Sequence, residues 1–144
     1  MCKINGELYS VLKTSIINNL YQKKPSSKSV KDFEKMIQKQ LISSGFQYNS
    51  HNKSDIFEVV ITLTMPKNKL FTIDLDNIAK TVLDSIKGYI FKDDSQVCTL
   101  ICKKSISKLN GYGFLIAVTK LTENREGILK EFWLAKLDSV QKTL

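Results

Sequence analysis

The sequence predicts an α+β domain in which a small mixed β-sheet is flanked by helices. Three observations carry this. Residues 57–65 alternate with a period of two, residues 30–44 and 75–87 each bear an apolar stripe at helical spacing, and residues 96–105 and 112–119 are two further β-rich runs separated by Asn110-Gly111. A chain of 144 residues that is 42% hydrophobic buries one ordinary core and is too short for two independent domains.

In chain order, the first 25 residues are ambiguous. Leu8, Leu12, Ile16 and Leu20 fit a helix, yet the intervening Val, Thr, Ser, Ile and Asn residues are poor helix formers. Ser29 with Asp32 three residues on resembles a capping box, and Val30, Phe33, Ile37 and Leu41 then mark a helix over 30–44, ended by Gly45. Its other side carries Lys28, Lys31, Lys35 and Lys39, expected to be a solvated face rather than a phosphate-facing stripe. Strand 57–65 sets Phe57, Val59, Ile61, Leu63 and Met65 to one side and stops at Pro66. Over 75–87, Ile78, Ala79, Val82, Leu83 and Ile86 form the stripe that faces the sheet. The run 96–105 is apolar on both faces at first, the pattern of an interior strand, and 112–119 is expected as its hairpin partner through Asn110-Gly111. Leu129, Phe132, Trp133, Leu137 and Val140 trace a C-terminal helical extension over 125–143, with Asn124 as its cap.

Twenty-two basic residues against fourteen acidic ones give a net charge of +8, which favours a polyanionic partner, nucleic acid first, unless the lysine excess serves only solubility. Cys2, Cys98 and Cys102 are an odd number without repeated spacing, so a disulfide framework is not expected and a reducing cytosol fits. With His51 the one histidine, a zinc site lacks ligands, and the cysteines read as core residues. The sequence holds no membrane-length apolar run and no signal-peptide pattern at its start, so a soluble, cytoplasmic protein without membrane partners is expected.

The chemistry concentrates at the start of the second helix. Asp76, Lys80 and Asp84 lie at i, i+4 and i+8 along its charged edge, Asp74 stands at or before the first turn, and Asp93-Asp94 end the following loop. One account is structural: an N-cap worth about 1 kcal/mol and an exposed Asp76–Lys80 pair worth about 0.3–0.5 kcal/mol. Capping explains one aspartate and leaves three. The other account is a hard cation held by oxygen ligands, because phosphodiester hydrolysis needs an activated water and neutralised phosphate charge. Aspartates without histidine or thiolate suit magnesium or manganese, and Lys80 then faces the scissile phosphate or orients the water.

In order along the chain stand Asp74-Leu75-Asp76-Asn77-Ile78-Ala79-Lys80, Asp84, Gly88, Asp93-Asp94-Ser95-Gln96-Val97 and Lys104. This series resembles the signature of the RusA-type crossover junction endodeoxyribonucleases, the Holliday-junction resolvases, with weaker agreement over 7–120. The resemblance implies a homodimer with two sites, nicking opposed strands of a four-way DNA junction with Mg2+ or, in its place, Mn2+. It implies that Asp74, Asp76 and Asp94 are the metal-binding catalytic carboxylates and Lys80 the essential lysine, with Asn77, Asp84 and Asp93 in support and Asp93 suited to capping its loop. It also implies an N-terminal strand over 8–16, making about four strands, and a substrate-facing loop with Asn18, Asn19, Lys23 and Lys24. Lys67, Lys69 and Lys104 complete the expected DNA contacts. Members are often found in prophages. The chain departs from the pattern at Ile73, where a basic residue is usual, at Ile16-Ile17-Asn18-Asn19, where prolines and glycines are usual, and in its C-terminal extension. Two other functions fit the same residues: a branched-DNA-binding protein that does not cut, and a nuclease for flaps or forks.

Overall fold

In the computed structural model the described residues are 2–4, 7–16, 27–43, 52–108, 111–123 and 127–128, with side chains described from Val30 onward. Five strands and two helices follow in the order β1 (Cys2–Ile4), β2 (Glu7–Ile16), α1 (Ser27–Ser43), β3 (Ile56–Met65), α2 (Leu75–Ile86), β4 (Val97–Ile106) and β5 (Tyr112–Leu121). They form one sheet in the order β1-β2-β5-β3-β4. All neighbours are antiparallel except β3 and β4, so the sheet is mixed and the class is the expected α+β. The ambiguous N-terminus is strand β2, and a short β1 raises the count above the four expected.

Both helices pack on one face of the sheet. Phe33, Ile37 and Leu41 of α1 and Ile78, Val82 and Ile86 of α2 close over Phe57, Val59, Ile61, Leu63 and Met65 of β3 and Phe114, Ile116 and Val118 of β5. These are the stripes that periodicity assigned, because residues three and four apart share a helix face and residues two apart share a strand face. Phe33 meets Phe114, and Phe57 meets Phe91, each at 5.8 Å between ring centroids. Lys31, Lys35 and Lys39 are exposed, as a solvated face requires.

Several expectations fail for tertiary reasons. β4 and β5 are not a hairpin: β4 pairs in parallel with one edge of β3, and β5 pairs antiparallel with the other. A parallel neighbour needs a crossover, and α2 supplies it, which leaves the second edge of β3 for β5. β4 is consequently an edge strand rather than an interior one, with Leu100 and Ile106 exposed at 42% and 48%. A register shift between Phe57 and Glu58 skips Cys98, which is left without a partner on β3. Cys98 is exposed, not core; Cys102 is half-buried, and burial pushes its thiol pKa up. Helix α1 starts at Ser27, which puts Ser29 inside the first turn instead of at a cap. The extension over 125–143 lies outside the described residues apart from Gly127 and Ile128.

The opposite face of the sheet holds a buried acid. Glu58 is 0% exposed, and its two carboxylate oxygens accept from the Ile128 amide at 2.9 and 3.2 Å. Gly127 beside it has φ +82°, and a Cβ there would stand 2.5 Å from Glu58 Oε2. Ile128 joins Val60, Ala117, Ile101 and Leu115 in a second small apolar cluster.

Candidate active site

Asp74 and Asp76 are set by a segment pinned along its length. After β3 the chain turns through a 3₁₀ turn at Lys67–Lys69, with Lys69 N donating to Pro66 O at 2.9 Å and Thr72 N and Oγ1 to Lys69 O at 3.0 and 2.8 Å. Ile73 is buried at 2% exposure. Its burial explains the missing base before the first aspartate: the position serves as a core anchor. Lys104 reaches from β4 and donates through Nζ to Leu70 O at 2.7 Å and Ile73 O at 2.8 Å. Cys102 Sγ lies 3.9 Å from Leu75 O, marking the same end of α2.

Asp74 then takes the N-cap position of α2, with φ −82° and ψ 135°, but its side chain makes no capping hydrogen bond. Asp74, Asp76, Asn77, Lys80 and Asp84 are all exposed along α2. Among the described residues no ion pair joins Asp76 to Lys80, and the carboxylates of Asp74 and Asp76 have no partner. Capping and surface pairing therefore account for neither aspartate. The bare carboxylates sit at the positive end of the helix dipole. As donors they suit a hard cation, since magnesium binds through one or two carboxylates with water and substrate oxygens filling its octahedron.

Asp94 belongs to the other end of the helix. α2 stops at a turn where Gly88 has φ +81° and donates to Phe91 O at 2.7 Å; an L residue with a side chain rarely adopts that φ. Asp93 caps the 3₁₀ turn Asp94–Gln96 by accepting from Ser95 N at 2.9 Å. The Ser95 side chain first and its backbone amide second, with the charge of Lys87 nearby, hold the Asp93 carboxyl below its ordinary value. Lys87 Nζ lies 3.8 Å from Asp93 and 3.6 Å from Asp94, loose exposed pairs of little energetic weight. Gln96 is the keystone of this loop. Its Oε1 accepts from Lys92 N and Asp93 N at 2.9 and 3.2 Å, and its Nε2 donates to Asn52 O and Asp55 O, both at 2.9 Å. Asp55 is itself paired with Lys120 at 2.8 Å. The signature named Gln96 without giving it a role, and a buried amide between two charged loops is the signal that assigns one.

Two rulers separate the carboxylates. The twelve residues of α2 span about 18 Å between the Asp74 end and the Lys87 end. Along β4, Val97 next to the Asp94 turn is about 16 Å from Cys102 at the Asp74 end. Consistent with this, no group of three His, Cys, Asp or Glu side chains among the described residues is placed to hold one ion. Asp74, Asp76 and Lys80 are brought together by one chain, and Asp94 is not brought to them.

Of the expected DNA contacts, Lys67 is exposed and Lys69 half-buried on the segment before Asp74. Lys104 instead spends its ammonium on two carbonyls. Asn18, Asn19, Lys23 and Lys24 lie outside the described residues. Replacing Lys104 with methionine leaves Leu70 O and Ile73 O without their donor and lowers the unfolding free energy by about 2 kcal/mol, read from urea melts. Cleavage falls more than affinity for DNA; a loss of affinity at unchanged stability would return Lys104 to the DNA surface.

The family model described as Endodeoxyribonuclease RusA matches residues 16–116, more than two-thirds of the chain. The chain belongs to the RusA family. It is thus a nuclease-family protein whose relatives resolve Holliday junctions, and the matched region runs from the end of β2 through α2 to β5. No curated protein matches the sequence. No helix among the described residues is long and apolar enough to cross a membrane.

Proposed function

We propose that this RusA-family chain is a dimeric, magnesium-dependent resolvase that nicks opposed strands of a four-way DNA junction by in-line attack of water on phosphodiesters. The observation that carries this is the pair of exposed carboxylates, Asp74 and Asp76, without capping bond or ion pair on a pinned helix N-terminus. Asp74 and Asp76 hold the cation. When bound, Mg2+ supplies charge neutralisation at phosphorus and a lowered pKa for water, and Mn2+ substitutes. Lys80, one turn beyond Asp76, presents its ammonium to the scissile phosphate. Asn77 and Asp84 flank that edge, and Lys67 and Lys69 grip neighbouring phosphates.

Separation of Asp94 from this pair bears on the dimer. A site with three aspartates takes Asp74 and Asp76 from one copy and Asp94 from a second, whose 3.6 Å pair with Lys87 is loose enough to exchange. A two-fold axis then makes two such sites together. The same separation favours the second reading, a branched-DNA-binding protein that never cuts. A labelled four-way junction incubated with the protein and Mg2+ or Mn2+ decides between them. Paired nicks at opposed positions are expected; an intact junction bound by folded protein would establish the binder. Flaps and forks in the same panel report whether four-way geometry is preferred.

A further inference from the structure

We propose that Phe71 is a base-stacking wedge, its ring packing on a nucleobase of the strand whose phosphate lies at Asp74 and Asp76. The inference rests on the nuclease reading and adds a substrate contact to it. Phe71 is 91% exposed, far above any other large apolar side chain among the described residues. Its exposure is imposed by its neighbours. Ile73 is buried in the core and Leu70 packs against it, while their carbonyls accept from Lys104 and Thr72 folds back onto Lys69 O. With Leu70 and Ile73 fixed inward, Phe71 is held outward on a rigid segment and loses little freedom on binding.

Position and surroundings point to nucleic acid. Phe71 lies three positions before Asp74, so their backbones are within about 10 Å, a distance that places the ring within one or two nucleotides of a phosphate at the carboxylates. Lys67 and Lys69 lie on the same segment, the combination of cation and aromatic ring used to hold unpaired nucleotides. One ring suffices for one base, because every base offers a π-face, whereas a protein interface needs a far larger apolar area. A branch point also lowers the cost of unstacking, since bases there have lost a helical neighbour.

The test uses the full chain carrying Asp76→Asn, expected to bind without cutting, and four-way junctions with 2-aminopurine at each base within two nucleotides of the nicked phosphate. Binding should raise 2-aminopurine emission at one of these positions as that base leaves the duplex stack. Adding Phe71→Ala should abolish the rise and weaken junction binding about tenfold while leaving unbranched duplex binding unchanged. Phe71→Trp should restore both. The wedge is overturned if no position brightens, if Phe71→Ala keeps the rise and the affinity, or if it shifts the sedimentation of the free protein, which would make the ring a contact between copies. Cleavage by the unsubstituted chain, measured separately, distinguishes failure of the wedge from failure of the nuclease reading.

Discussion

Asp76→Asn is expected to abolish junction cleavage, by about a thousandfold or more, and to leave junction binding within a few-fold of the unsubstituted chain. The substitution keeps the size of the side chain and removes one negative oxygen from an exposed position, so the fold has no reason to change. On the proposed reading, what is lost is a ligand charge. Charge stabilisation by a bound cation contributes several kcal/mol at the transition state, and each 1.36 kcal/mol is tenfold in rate. Binding persists because phosphate contacts from lysines carry it. Single-turnover cleavage and gel-shift titration measure the two quantities. Cleavage within tenfold of the unsubstituted chain would remove Asp76 from the reaction, and parallel loss of binding would make it a DNA contact instead.

The second large effect is complementation between two inactive chains. Asp76→Asn and Asp94→Asn homodimers are both expected to be silent. If a site takes Asp74 and Asp76 from one copy and Asp94 from the other, a mixed dimer contains one site with all three carboxylates and one with neither Asp76 nor Asp94. Subunit exchange at equal concentrations then restores about a quarter of the working sites, because half the dimers are mixed and each has one good site. The restored product is a single nick rather than a resolved junction. If each site were built within one copy, every mixed-dimer site would lack one carboxylate and nicking would stay absent. The prediction follows from the two rulers, about 18 Å of α2 and about 16 Å of β4, that keep Asp94 from its partners in one chain.

Much of the architecture was legible because local periodicity reports which side of an element is apolar. β3 and the stripes of α1 and α2 stand where spacing put them and supply most of the core, with Phe114, Ile116 and Val118 of β5 and Ile73, Ile90 and Phe91 from the connecting segments completing it. The signature at 74–80 reads directly as the exposed edge of α2, since i and i+4 positions share a face whatever packs behind them. Asp93 caps its loop, as expected of an aspartate there. Strand partners were not legible. Asn110-Gly111 between two β-rich runs suggests a hairpin, but pairing is decided by which edges remain open, and the crossover α2 had already given one edge of β3 to β4. The Cys98 bulge likewise depends on a partner strand and leaves no mark on spacing.

The site divides in the same way. The sequence by itself determined the fold class, the helix that bears Asp74, Asp76 and Lys80, and the family, because side-chain chemistry and short-range spacing are properties of the chain. Tertiary structure alone decided that Lys104 faces two carbonyls rather than solvent, that Ile73 anchors the core, that Gln96 ties two loops together and that Glu58 is buried against Ile128. It also decided that Asp94 stands at the far end of α2 from the carboxylates it follows in the signature. The physical reason is that a motif records order along the chain, whereas a helix of twelve residues converts that order into about 18 Å of separation.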